Sequence, residues 1–287
     1  MSTITTERRS KPRRVAGGLA VPRVGATLLA LILPVVLVVS WQMSGTNGSV
    51  FGGALPTPDR VWEAWLKWAF GASSTMGLNP YSGTWAESVV FSTIRVAKGF
   101  AIAILIGVPL GICIGWSKLV SMVIDPTIQW LRPVPITAWL PISIAVFGIS
   151  DFGSVFLITI GAFYPIVINT THGTRDVEKN WIRAALMMGS SPFTVLRRVV
   201  LPAALPSIFT GLRIGLGIAW TAVIVSEMVA VKSGLGYVLW DAYYVGRMDI
   251  VIADMVTIGL LGYLSDWLIV RVDHFVLRWR RLQSYNA

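Results

Sequence analysis

The sequence predicts an all-α polytopic membrane protein with six transmembrane helices, and three observations carry that prediction. Only 13% of the 287 residues are charged, about half the share found in soluble domains, while 54% are hydrophobic and the mean hydropathy is +0.68. The apolar residues fall in long uncharged runs, among them Val24–Trp41 and Gly99–Trp116, close to the ~20 residues a helix needs to cross a bilayer. Basic residues gather at the ends of those runs, as the positive-inside rule requires. The net charge of +10 therefore reads as membrane topology. No basic stripe interleaved with aromatics suits base stacking, which excludes nucleic acid as a partner.

Residues 1–23 carry six basic side chains with Pro12 and Gly17-Gly18 and no periodicity, the pattern of a disordered basic cytoplasmic tail. The first span, 24–41, exceeds the ~7–15 residues of a signal-peptide core and lacks a small-x-small cleavage site after it. Beyond Leu55-Pro56-Thr57-Pro58, the stretch Asp59–Phe70 alternates Val61, Trp62, Trp65, Leu66 and Trp68 with Arg60, Glu63 and Lys67. That is an amphipathic helix, and tryptophan-rich helices of this kind prefer the outer bilayer interface. The second span covers about 90–116. Arg95 and Lys98 near its start either snorkel to the headgroups or draw an anion toward an entrance.

The third span, 119–149, is interrupted by Pro133, Pro135 and Pro141. Proline breaks the hydrogen-bond ladder, and lipid cannot satisfy the freed groups, so such backbone is buried in protein or lines a wet cavity. Arg132, Thr137 and Trp139 are accordingly candidates for a translocation path, and the competing reading is a kinked packing helix. Asp151-Phe152-Gly153 reads as a short outer turn, 152–174 as the fourth span, 208–231 as the fifth, 232–249 as an outer loop and 250–270 as the sixth. Arg213 in the fifth span is a further path candidate. Glu227 is a lone acid in an apolar helix and needs a partner; it reads as a structural clamp on the Gly234-Leu235-Gly236 turn. The single cysteine, Cys113, permits no intrachain disulfide and suits core packing. His172 and His274 have no neighbours in metal-ligand spacing, so no metal site is expected.

Counting Lys and Arg gives sixteen on the even-numbered connections and tails against at most six on the other side. Both termini and residues 271–287 are thereby expected in the cytoplasm. The connection 175–207 lies on that side, and residues 183–202 within it have the grammar of helix, break, helix. Ala184 to Met188 favour a helix, Gly189 suits the position past its end, and Ser191-Pro192 starts another. Such a knob is either an ordinary basic loop or a device for receiving force from a soluble partner.

Ala184-Ala185, then Gly189, then Val199-x-Leu201-Pro202 resemble the EAA loop of ABC importer permeases, with Arg183 standing where that family usually has Glu. Leu55-Pro56-Thr57-Pro58, Arg132-Pro133-Val134-Pro135-x-x-Ala138-Trp139-Leu140-Pro141, Gly211-Leu212-Arg213-Ile214-Gly215-Leu216-Gly217 and Gly234-Leu235-Gly236-Tyr237 extend the likeness over roughly residues 25–275. Together they are similar to type I, binding-protein-dependent permeases of the nitrate, sulfonate, taurine and bicarbonate class. The resemblance implies the type I ABC importer transmembrane fold, with 183–202 as its cytoplasmic coupling helix in a bacterial inner membrane. It implies a second copy of the chain completing the pore, two ATPase subunits holding ATP and Mg, and a periplasmic or lipid-anchored substrate-binding protein. On that reading Arg183, Ala184, Ala185, Gly189, Ser191 and Phe193 form the surface that meets the ATPase. The chain itself has no P-loop and no nucleophile or metal set, so it binds no cofactor and is not an enzyme. The rival expectation is a proton-coupled secondary transporter using Glu227, Asp254 and Asp266 as a relay.

Overall fold

The computed structural model describes residues 32–43, 55–71 and 80–278. The predicted tail 1–23, the start of the predicted first span and the chain beyond Arg278 lie outside these residues. The chain divides into two units, 1–58 and 59–287. In the first, the apolar helix α1 (Ile32–Met43) has its Trp41 indole N–H donating to the Pro56 carbonyl at 3.0 Å.

In the second unit α2 (Pro58–Phe70) turns Val61, Ala64 and Trp68 inward and leaves Trp62, Leu66 and Phe70 exposed, the two faces its sequence prescribes. It is followed by α3 (Trp85–Trp116), α4 (Lys118–Leu131), α5 (Ile136–Phe147), α6 (Asp151–Arg175) and α7 (Lys179–Met187). Then come the long α8 (Pro192–Ala230), α9 (Leu235–Tyr244) and α10 (Met248–Val276). Among the described residues α3, α6, α8 and α10 are each long and apolar enough to cross a membrane, and α4 with α5, bent by 99°, make a fifth span. The six predicted spans are therefore matched by four or five here, α1 being too short within the described residues to count.

Helix α6 is the centre of the bundle, because α3 and α8 approach it closely along small residues. On α3, Gly99, Ala103, Gly107, Gly111 and Gly115 recur every fourth residue and face Ile158, Ile166, Thr170 and Thr174 of α6. Without side chains on that ridge the backbones come near enough for the Thr159 and Thr171 hydroxyls to donate to the Gly99 and Gly111 carbonyls, each at 3.2 Å. Small-residue ridges are the usual solution where helices pack without a hydrophobic drive. On the opposite side Gly211 and Gly215 of α8 lie against the Pro165 and Ala162 carbonyls. The Thr257 hydroxyl of α10 accepts from the indoles of Trp65 and Trp85 at 3.3 and 3.2 Å, tying α2 and α3 to α10.

Several expected boundaries move. The helix expected to begin at 208 runs unbroken from Pro192, through Pro202 and Pro206. A wide π-helical turn at Leu196–Val200 precedes Pro202 and gives room for a ring that would otherwise press on the Arg198 carbonyl. The expected outer loop 232–249 contains α9. Asp151 to Gly153 open α6 instead of forming a turn; the reversal is earlier, at Gly148, whose φ of +68° only glycine adopts freely. Pro141 does not interrupt α5; the break is confined to Arg132–Pro135.

Candidate functional site

Three features stand out: the hairpin after α6, a cavity at the bent span, and a buried charge network at the other end of the bundle. The hairpin is α7 followed by the start of α8. Gly189 sits at φ +82°, its N–H donating to the Leu186 carbonyl at 2.9 Å, while Ser190 N–H donates to the Ala185 carbonyl at 3.2 Å. These two bonds close a Schellman turn, which satisfies the last carbonyls of α7 and needs a left-handed residue. The Ser191 hydroxyl then caps α8 by accepting from Thr194 N–H at 3.3 Å, with Pro192 in the first turn. Val177, Ala185, Val195 and Val200 form a small core under the turn, against Trp116, Ile182 and Leu196. The second arm of the hairpin continues without a break into the membrane span, as α8 runs from Pro192 to Ala230.

Arg183, Ala184, Gly189, Ser191 and Phe193 are exposed on this hairpin, but Ala185 is not: it is buried in the core beneath the turn. It lies three residues after Ile182 on α7, so the two share the helix face that packs against Val177 and Val195. The exposed apolar residues that sequence reasoning missed are Met187 (86% exposed) and Met188 (80%), which with Phe193 (71%) crown the tip. An apolar cap of this kind on a polar protrusion marks a binding surface, and flexible methionines adapt to a partner groove. Arg183 has no carboxylate partner among the described residues.

The cavity, about 450 Å³, lies where α4 and α5 bend away from α6 and α8. Arg132, Pro133 and Pro135 line it from the bend, Tyr164, Pro165 and Asn169 from α6, and Ile214 and Ile218 from α8. Arg132 is its one charged lining residue among the described residues, and no carboxylate faces it, so the cavity favours an anion. Asn169 donates its amide to the Pro165 carbonyl at 2.8 Å. Of the other expected path residues, Thr137 and Trp139 lie on α5 but do not line the cavity. Arg213 does not either; it is held in a two-point ion pair with Asp266, both contacts at 2.9 Å.

Arg95 corrects an expectation. Its position near the start of a span predicts a headgroup contact or a place on the anion's translocation path, yet its side chain is only 5% exposed. Its Nη1 donates to Glu227 Oε1 and to the Ser233 carbonyl, both at 2.8 Å. Its Nε and Nη2 donate to Asp151 Oδ1 at 2.8 and 2.6 Å, and Nη2 also to Ser233 Oγ at 2.6 Å. No guanidinium edge is left for a passing anion. The fully buried Glu227 carboxylate also accepts from Ser92 Oγ at 2.8 Å and from Gly236 N–H at 2.9 Å. Gly234, at φ +104°, packs so closely on Glu227 that a Cβ would stand 2.4 Å from its carboxylate. Nothing short-range in the sequence joins Arg95 to Glu227, 132 residues apart; an intramembrane acid and base were the only signal. Asp254 is buried with both carboxylate oxygens unpartnered among the described residues. Outside the spans, Tyr81 donates its hydroxyl to Asp241 at 2.6 Å; burial, then that carboxylate, push the phenol above its ordinary range.

A bundle of long apolar helices around a glycine-ridged centre, with an exposed hairpin continuous with one span and a cavity beside a broken span, is the architecture of a multi-pass membrane permease. Residues 99–278 match the family described as binding-protein-dependent transport system inner membrane component, and the chain belongs to that family. It is 38% identical over 260 residues to an ABC transporter permease of Methanocaldococcus jannaschii, covering 90% of this chain and 94% of that one. It is 33% identical over 273 residues to the nitrate import permease of Synechocystis sp., covering 93% and 95%, and 38% identical over 190 residues to the bicarbonate transport system permease of Synechococcus elongatus, covering 66% and 68%. Inward-facing structures of the MetNI methionine ABC transporter match in fold with a TM-score of 0.62 at 19% identity, over 70% of this chain and 99% of that chain. The chain therefore has the type I ABC importer permease fold and is a non-catalytic pore subunit.

Proposed function

We propose that this chain is the pore subunit of an ATP-driven importer for a small oxyanion or sulfonate, such as nitrate, taurine or bicarbonate. Two copies form the pore, with both termini in the cytoplasm, and each presents residues 183–202 to one of two ATPase subunits. A periplasmic or lipid-anchored binding protein delivers the substrate, and ATP and Mg reside on the ATPases. The substrate class follows the relatives named for nitrate and bicarbonate and agrees with a cavity whose charged lining is Arg132. Arg132 is the residue that would meet the anion, and the Arg95–Glu227 network holds the far ends of three spans in register.

The observation that carries this reading is the hairpin. Its tip is apolar and exposed, its interior is packed, and its second arm is the membrane span α8 itself, so force applied to Met187, Met188 and Phe193 has a rigid route into the bilayer. The proton-relay alternative gains no support: Asp266 is paired with Arg213, and it stands about 18 Å along α10 from Asp254. Gly189→Asp tests the coupling. Nothing lies within 4 Å of a Cβ there, and Asp tolerates the left-handed region better than most residues, so the protein folds; the charge at the apolar tip abolishes ATP-dependent uptake. Normal uptake by this variant would remove the hairpin from the mechanism.

A further inference from the structure

The membrane end of α10 carries its charges on two separate faces. Asp266 and Asp273, seven residues apart, share one face with Arg213: Asp266 pairs with it at 2.9 Å and Asp273 acts on it electrostatically. Arg271 occupies another face, about 140° round the helix from Asp266 at 100° per residue, and Arg278 follows two residues past the helix end at Val276. Neither has a carboxylate partner among the described residues. Each guanidinium instead lies over an aromatic ring, Arg271 4.7 Å from the Trp267 centroid and Arg278 4.9 Å from that of Phe275. Trp267, Arg271, Phe275 and Arg278 thus form one exposed stripe. A cation–π contact uses none of the guanidinium N–H donors, so these stay available to a further acceptor.

Depth decides what meets those edges. Helix α10 has 29 residues, or ~44 Å, against a hydrocarbon core of ~30 Å. With Met248 at one boundary, Trp267 falls ~29 Å further along, at the other boundary, where tryptophan concentrates. Arg271 then stands ~6 Å beyond it, at the level of the lipid phosphates. The apolar face leading to this point, Val256, Leu260, Tyr263 and Leu264, is exposed, as a surface covered by acyl chains would be.

We propose that this stripe is a binding site for the phosphate of an anionic phospholipid in the leaflet that receives the end of α10. The unpaired cations match the headgroup in charge, the stripe lies at its depth, and the adjoining face suits its tails. The test uses the full-length permease in mild detergent with equal phosphatidylglycerol and phosphatidylcholine of matched chains, reading retained lipid by native mass spectrometry. Wild type retains phosphatidylglycerol in preference, and Arg271→Gln and Arg278→Gln each lower that retention by about fivefold. Arg60→Gln, an exposed arginine on α2, leaves it unchanged. Equal retention of the two lipids by wild type, undiminished phosphatidylglycerol on the double variant, or an equal loss with Arg60→Gln would overturn the site. Self-cross-linking of Phe275→Cys in a Cys113→Ser background would overturn it as well, by showing a second copy on that face.

Discussion

Removing the Arg95 side chain separates the contributions within the buried network. Arg95→Ala deletes five hydrogen bonds and leaves two acids behind. Asp151 is 63% exposed and takes up water, so its half of the network contributes about 0–1 kcal/mol. Glu227 is fully buried, and a buried charge stripped of its partner costs about 3–5 kcal/mol. The expected loss is therefore about 4 kcal/mol, dominated by Glu227, or roughly a 10 °C fall in unfolding midpoint for a chain of this size. Tryptophan fluorescence on heating in detergent reads it. Replacing Glu227 by Gln in the same background removes the orphaned charge, so Arg95→Ala/Glu227→Gln unfolds at a higher temperature than Arg95→Ala alone. Two outcomes would refute the reasoning: a midpoint shift below about 2 °C for Arg95→Ala, or a double variant that merely adds the two single losses.

The glycine ridge makes a graded prediction. A Cβ at Gly111 would stand 2.7 Å from the Thr170 Cβ and 2.8 Å from the Val167 carbonyl, whereas at Gly107 it would meet a side-chain methyl of Ile166 at 3.1 Å. Gly111→Ala should cost about 2 kcal/mol and Gly107→Ala clearly less; equal shifts in the same melting assay would contradict the packing account. In the cavity, Arg132→Ala should reduce anion uptake by the reconstituted complex about tenfold, with Arg132→Lys intermediate. Unchanged uptake would take Arg132 out of the path.

Local signals were reliable wherever they depended on backbone chemistry. Gly189 past a run of helix formers and Ser191-Pro192 after it led to the turn observed, because a left-handed position and a cap are properties of two or three residues. Pro133 and Pro135 likewise marked the bend. Pro141, read as a third interruption, does not break its helix, and α8 likewise continues through Pro202 and Pro206. A missing N–H costs little when a wide turn or a neighbouring helix accommodates it, and that depends on what is packed alongside. Arg95 misled for a related reason: a cation a few residues into a span reads as a headgroup contact unless its partners are known. Those partners, Asp151, Glu227 and Ser233, come from other helices.

Composition and the spacing of uncharged runs by themselves determined that this chain lives in a membrane as helices, since the cost of exposing backbone to lipid leaves no other choice for such a sequence. They also marked residues 183–202 as a structured hairpin. Only the tertiary structure decided which helix is central, which charges are buried and which face outward, and that Met187 and Met188 crown the hairpin while Ala185 supports it. Those outcomes rest on contacts between residues tens to hundreds of positions apart, where side-chain volume and charge pairing act across space and leave no periodic trace along the chain.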